Sequence, residues 1–120
     1  MSDDLLEREF VKSWNRMEWF FGSGEILQKR PDMVEFIAAL RRIGHDRKLR
    51  AGQCLDILTV SRSRMHGLRL EQPRIGFHIY QGKVAVFSTG LQSETFVENA
   101  QPVSDRVRDL LDRLLNQPIT

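Results

Sequence analysis

Hydrophobic residues near the N-terminus recur every three or four positions, the period of one face of an amphipathic helix. The residues with this spacing are Leu6, Phe10, Trp14, Met17 and Phe21. Ser2 is suited to cap the start of this helix, and the glycines within residues 22–24 are expected to end it. The aromatic run at residues 19–21 is predicted either to cover a sheet or to form an exposed patch for a protein partner.

A second helix is indicated by residues 31–43. Asp32, followed three positions later by Glu35, forms a capping-box pattern, which predicts Asp32 as the N-cap. Gly44 follows two arginines and is expected to take the left-handed conformation that commonly ends a helix. The apolar side of this helix consists of Met33, Phe36, Ile37, Leu40 and Ile43.

The middle of the chain changes to the two-residue period of β-strands. Residues 55–60 form a compact apolar run, and residues 75–80 and 83–87 alternate aliphatic with other side chains. A two-residue turn at Gln81-Gly82 places the aliphatic residues of both segments on one face, so we predict a hairpin there. The predicted pairs are Tyr80 with Lys83, Ile79 with Val84, and Phe77 with Val86.

A shorter strand is predicted at residues 94–98, and a C-terminal amphipathic helix follows it. The apolar stripe of this helix is Val103, Val107, Leu110, Leu111, Leu114 and Leu115. The order of elements predicts an α+β fold: two N-terminal helices, an antiparallel sheet of about four strands with a hairpin at Gln81-Gly82, and a C-terminal helix packed on the sheet. With no internal repeat or linker, residues 1–120 are expected to form a single domain.

Composition narrows the class of protein without naming its function. Hydrophobic residues make up 41% of the chain and charged residues 28%, as in ordinary soluble domains. The acidic start at residues 1–4 does not resemble a secretory signal, and no apolar run approaches the roughly 20 residues that span a bilayer. The single cysteine, Cys54, excludes an intrachain disulfide and is expected to be buried in its apolar run. We therefore expect a cytoplasmic protein without membrane contact.

The formal net charge of +2 conceals an uneven distribution of charge along the chain. Residues 41–74 carry nine Lys or Arg against three Asp or Glu, whereas residues 1–40 carry five against eight. Eight of those nine cations are arginine, whose planar fork of donors matches phosphate and carboxylate groups. The middle third of the chain is therefore the predicted contact for an anionic partner.

The candidate binding residues all lie in this basic region and the turn that it contains. If residues 66–67 form a tight turn, Arg64 faces Arg69, and a bound anion would relieve their repulsion. The alternative is an ordinary solvated face, since runs of surface charge are common. The absence of Phe, Tyr and Trp from residues 37–76 argues against stacking of single-stranded bases. The predicted binding residues are Arg47, Lys48, Arg50, Arg62, Arg64, His66, Arg69 and Arg74.

Three functions from different classes fit these patterns. The first is a non-catalytic module that binds an anionic ligand or nucleic acid through the arginine-rich region. The second is a protein-interaction domain (an adaptor, inhibitor or chaperone), alone or as a homodimer, that uses the aromatic N-terminal helix or a sheet face. The third, with the least support, is a small enzyme whose site draws on Arg62, Arg64, His66 and His78. No histidine pair has zinc-ligand spacing, and we expect neither a metal nor a cofactor.

Overall fold

Three α-helices and one five-stranded sheet make up the described part of the fold. The computed structural model describes residues 3–65 and 71–120. Two helices come first, followed by a short 3-10 helix, the strands and a final helix, which confirms the predicted α+β class. The elements are α1 (Asp3–Ser23), α2 (Pro31–Ile43), the 3-10 helix (His45–Arg47), β1 (Arg50–Cys54), β2 (Ile57–Ser61), β3 (Arg74–Tyr80), β4 (Lys83–Thr89), β5 (Thr95–Asn99) and α3 (Asp105–Leu115).

The sheet is an antiparallel meander in which each strand pairs with its neighbours in sequence, in the order β1-β2-β3-β4-β5. The hairpin between β3 and β4 has the predicted register, with Tyr80 opposite Lys83 and Phe77 opposite Val86. Gln81 and Gly82 both have positive φ angles, of 51° and 75°. Such angles belong to the turn type whose twist matches that of the two strands. The local pattern therefore determined this hairpin.

The sheet has one strand more than the sequence predicts, because β1 lacks an apolar alternation. Its residues pair with β2 from Arg50 opposite Ser61 to Cys54 opposite Ile57. On the other side of β1, the Ala51 N–H donates to Ser13 Oγ of α1 at 2.9 Å. Backbone pairing and a helix contact hold this strand, so its side chains give no period-2 signal. Cys54 is exposed at the end of β1, and the prediction that it is buried was wrong.

One core fills the space between the helices and one face of the sheet. The inward residues of the strands pack with buried residues of all three helices in a single cluster. The Phe36 ring of α2 lies 5.0 Å, between ring centroids, from the Phe77 ring of β3. Trp14 of α1 is 0% exposed, and its Nε1–H donates to the Leu49 carbonyl at 2.8 Å. The opposite, outer face of the sheet carries His78, as expected from its alternation with Phe77 and Ile79.

The helix ends agree only in part with the predicted caps. The N-cap of α2 lies two residues earlier than predicted: Arg30 occupies the N-cap position without a side-chain cap, so the prediction of Asp32 as N-cap was wrong. Asp32 lies in the first turn, where its Oδ1 accepts the Met33 N–H at 2.8 Å. Gly44 has the expected left-handed conformation, with φ of 96°. Ser104 caps α3 by accepting the Val107 N–H, and the predicted cap Ser2 lies outside the described residues.

The aromatic run at the end of α1 mostly covers the core. Phe20 and Phe21 are buried, and their rings meet edge to face at 5.0 Å between centroids. Trp19 is 47% exposed, so the helix presents a single exposed aromatic residue here and not a patch. Of the two predicted roles of this run, the packing supports the one in which it covers the sheet, and not the exposed patch for a protein partner.

Candidate functional site

Three of the predicted basic residues meet at one cleft. Arg47, Lys48 and Arg62 line a concave space of about 500 Å³ between the start of α1, the 3-10 helix and the end of α3. Other lining residues come from both terminal helices and the segment after α3, and most of these are apolar. They are Leu6, Glu7, Phe10, Leu115, Asn116 and Ile119. The cleft therefore combines a cationic wall with an apolar floor.

Both local and long-range hydrogen bonds hold the backbone around the cleft. Lys48 follows the 3-10 helix, where its N–H donates to the His45 carbonyl at 3.2 Å. Arg62 lies immediately after β2. The Thr120 N–H donates to the Arg62 carbonyl, and the Arg64 N–H donates to the Thr120 carbonyl, each at 3.3 Å. The two bonds of Thr120 join the segment after β2 to the segment after α3, and both segments contribute to the lining of the cleft.

Arg62 is the most unusual side chain in the cleft. Its Nη1 donates to the Lys48 carbonyl at 3.3 Å, and its Nε is buried with no hydrogen-bond partner among the described residues. Burial lowers the pKa of the Arg62 guanidinium because the charged form loses solvation. Within the described ranges, no carboxylate lies at ion-pair distance from it. A partly desolvated cation without a counter-ion favours the approach of an anion.

The remaining predicted binding residues are placed differently. Arg50 is 9% exposed, and its guanidinium donates to the carbonyls of Ser63 and Arg64, at 2.9 and 2.7 Å. Arg64 is exposed but does not line the cleft. Arg74 is half-buried at the start of β3. His66 and Arg69, with the proposed turn between the arginines, lie outside the described residues.

A smaller depression adjoins the cleft and shares Lys48 and Leu115 with it. Its volume is about 310 Å³, and His45, Arg108 and Asp112 are among its other lining residues. His45 is buried, and its Nε2 has no hydrogen-bond partner in the described part of the chain. Burial lowers the pKa of His45, while the Asp112 carboxylate acts in the opposite direction. Burial therefore favours the neutral form of the imidazole beside the basic cleft.

His78, a candidate for catalysis, belongs to a hydrogen-bonded cluster with Asp56 and Arg30 on the outer face. Its Nε2 lies 3.1 Å from Asp56 Oδ2, and Arg30 Nη1 lies 3.2 Å from the same oxygen. Cys54 of β1 is paired with Ile57 of β2. Continuing the β2–β3 register one position beyond the Leu58–Phe77 pair places His78 opposite Ile57. Cys54 is thus two strands away from His78, about 10 Å at ordinary strand spacing. That separation is too large for a nucleophile and its base.

Asp56 ties the β1–β2 turn to α2 and β3, and its removal should weaken the fold in a pH-dependent way. Burial raises the pKa of Asp56, but the hydrogen bond and charge of His78, a backbone hydrogen bond at Asp56 and the hydrogen bond of Arg30 outweigh it and leave the pKa below the ordinary 3.8. A carboxyl whose pKa falls on folding stabilises the protein above its unfolded pKa, and this contribution disappears as the pH drops through the folded pKa.

We therefore expect Asp56→Asn to lower the free energy of unfolding at pH 7 by about 0.5–1 kcal/mol, a modest loss because water screens this partly exposed pair. The difference from wild type should shrink as the pH falls below 3.8. Urea titrations followed by circular dichroism between pH 7 and pH 3 measure it. Glu35→Gln, at an exposed position of α2, is the matched control. A pH-independent difference would contradict this role of the charge.

Sequence reasoning missed the parts of the cleft that come from the two ends of the chain. Glu7 and Phe10 belong to α1, and Asn116 and Ile119 follow α3, so no local pattern connects them with Arg62. Among the described residues, no group of three or more His, Cys, Asp or Glu is arranged to hold a metal ion. No helix in the same residues has the length and apolar content needed to span a bilayer. Comparison with protein-family models, curated proteins and solved structures gave no match to this chain.

Proposed function

We propose that this protein is a non-catalytic binding module that takes a small anion with a short apolar part in the cleft lined by Arg47, Lys48 and Arg62. The observation that carries the proposal is the Arg62 guanidinium, which is partly desolvated at the cleft wall and has no carboxylate partner among the described residues. An anion in the cleft would supply the missing counter-charge.

The shape and lining of the cleft support a small ligand. Its volume of about 500 Å³ falls in the range of roughly 300–1,000 Å³ that small-molecule sites occupy. Three cationic side chains face a single carboxylate, that of Glu7. Leu6 and Phe10 are buried beneath the opening and offer apolar contact. A carboxylate or phosphate bearing a short hydrocarbon or ring matches this combination better than a bare ion does.

Nucleic acid fits the described surface less well. Of the cations that sequence reasoning grouped together, Arg50 is used inside the fold, and the remaining described ones divide between a concave cleft and separate positions. A duplex requires an extended row of exposed cations that follows its phosphates. We therefore assign nucleic-acid binding as an alternative outcome of the test below.

The first experiment is calorimetric titration of the protein with octanoate, inorganic phosphate and octyltrimethylammonium. A parallel experiment measures binding of labelled single- and double-stranded DNA and RNA by fluorescence anisotropy. We expect octanoate to bind and the cation of matched chain length not to bind. Arg62→Gln should weaken octanoate binding by about tenfold or more, because a charge-assisted hydrogen bond contributes about 1.5–3 kcal/mol. Raised salt should weaken it further.

The matched control is Arg64→Gln, which removes the same charge two residues away from a side chain that does not line the cleft. It should leave octanoate binding unchanged. Equal loss in both variants would indicate a diffuse basic surface and contradict a defined site. No binding of octanoate or phosphate, with salt-sensitive binding of DNA or RNA, would replace the small-anion proposal with the nucleic-acid alternative. If phosphate and octanoate bound with equal affinity, the proposal that the ligand has an apolar part would be wrong.

Protein interaction is the second candidate, and a different observation favours it. The outer face of the sheet and its β5 edge carry exposed apolar side chains, of which Val97 is 66% and Tyr80 64% exposed. The aromatic N-terminal helix offers less, because only Trp19 of its aromatic residues is exposed. A partner is therefore better placed on the sheet than on α1.

A further inference from the structure

Strand β5 forms an edge of the sheet whose outer backbone groups are open. The Ser88 N–H donates to the Glu94 carbonyl at 3.0 Å, and the Ala100 N–H donates to the Gly82 carbonyl at 2.9 Å. In an antiparallel pair, alternate residues point their backbone groups toward the neighbouring strand. These two bonds and the β4–β5 register therefore place the N–H and C=O groups of Thr95, Val97 and Asn99 on the side away from β4. Within residues 3–65 and 71–120, no hydrogen bond to those outward groups is formed.

This edge carries few of the devices that usually prevent strand addition. Natural sheets protect an edge with charged side chains (lysine above all), with proline, with a bulge or with a covering element. Glu98 is the one charged side chain of β5, and it lies on the inner face of the sheet. The segment Thr95–Asn99 contains neither Lys nor Pro, and its pairing with β4 continues without a bulge from residue 95 to residue 99. The opposite edge is treated differently, because Ser13 of α1 bonds the outward N–H of Ala51 in β1. The open edge is therefore a feature of β5.

We propose that β5 pairs with β5 of a second copy of this chain, antiparallel and about a two-fold axis at Val97. In this register Val97 lies opposite Val97 of the second copy, and Thr95 lies opposite Asn99. All the outward backbone groups of the strand then exchange hydrogen bonds. The two meanders become one continuous sheet, and the exposed Val97 side chains come together on its outer face.

Charge complementarity on the inner face favours a second copy over an unrelated peptide. The same register places Phe96 directly opposite Glu98 of the second copy. The Arg106 guanidinium of α3 lies 3.7 Å from the centroid of the Phe96 ring, and its side chain is 57% exposed. Glu98 of the second copy thus approaches an available cation. The two-fold axis repeats this contact, so each copy supplies both an acidic group, Glu98 of β5, and a basic group, Arg106 of α3.

The Glu98 carboxylate has capacity for this additional contact. One of its oxygens accepts the Ser104 Oγ–H at 2.7 Å, and an ionised carboxylate has about four acceptor sites. Arg106 is also shared with Glu94, whose Oε2 lies 3.5 Å from Arg106 Nε. The pair across the dimer would therefore extend an existing charge network.

The first test is the molar mass in solution, measured by size-exclusion chromatography with light scattering at about 100 μM, where a dimer of micromolar affinity is largely formed. We expect twice the chain mass of 14.0 kDa. Val97→Pro removes an outward N–H that makes no bond within the described fold, so it should give a monomer. Tyr80→Ser removes an exposed apolar side chain from the interior strand β3 and should remain dimeric. A monomeric wild-type protein would overturn the proposal.

A second test fixes the register and does not depend on the proline variant folding. In a Cys54→Ser background, Val97→Cys should form an intermolecular disulfide on mild oxidation, because paired Cα atoms about 5.5 Å apart suit a disulfide. Tyr80→Cys in the same background should not. Glu98→Arg should raise the dimer dissociation constant at least about tenfold, and adding Arg106→Glu should restore it. If Val97→Pro and Glu98→Arg left the dimer intact and Val97→Cys formed no intermolecular disulfide, the interface would lie elsewhere and this assignment would be overturned.

Discussion

Trp14→Ala is expected to lower the free energy of unfolding by about 3–5 kcal/mol, the range for removing a large buried aromatic side chain. Trp14 is 0% exposed in the middle of α1. The change also leaves the Leu49 carbonyl without its indole donor, now at 2.8 Å, and an unpaired buried acceptor adds to the cost. Since small domains have stabilities of about 5–15 kcal/mol, this loss removes a large share of the total.

Urea unfolding followed by far-ultraviolet circular dichroism measures this loss without relying on tryptophan emission. Trp14→Phe should cost less, because it retains most of the ring and loses mainly the hydrogen bond. Trp19→Ala is the matched control on the same helix, where a side chain that is 47% exposed should contribute less than about 1 kcal/mol. Equal losses at the two positions would contradict the placement of Trp14 at the centre of the core.

Arg50→Met should also have a large effect, because this buried arginine bonds two backbone carbonyls of the segment after β2. Its guanidinium donates to the Ser63 and Arg64 carbonyls and lies 5.4 Å from the Phe10 ring centroid. Burial lowers the pKa of Arg50, partly opposed by the charge of Glu9. Methionine fills the space but removes the Arg50 donors from both carbonyls, so we expect a loss of about 2–4 kcal/mol in the free energy of unfolding.

Arg50 also positions the cleft, although it does not line it. The carbonyls that it bonds follow Arg62 directly in sequence, so their release should loosen the Arg62 backbone. Arg50→Met should therefore weaken octanoate binding, whereas the exposed Arg64→Ala should change stability by less than about 0.5 kcal/mol and leave binding intact. Arg50→Lys keeps the charge without the fork of donors and should lie between them. A stable Arg50→Met variant with full affinity would refute both roles.

The sequence by itself determined the elements whose signal is local. The stripe of α3, the apolar faces of α1 and α2, and the β3–β4 hairpin all depend on periods of 3.6 or 2 within a few residues. Gly44 was predictable at the end of α2 because only a residue tolerant of positive φ fits there easily. The arginine excess was also visible, since charge is counted along the chain.

The tertiary structure alone decided which arginines share a surface and which are used inside the fold. Arg47, Lys48 and Arg62 meet at the cleft because α1 and the end of α3 close around them. Arg50 does not share this surface because its guanidinium donates hydrogen bonds to carbonyls thirteen and fourteen residues later in the chain. Strand β1 and the open edge of β5 were likewise set by pairing between strands. Contacts between distant segments leave no period in the sequence, and this is why local patterns predicted the elements but not the site that they form.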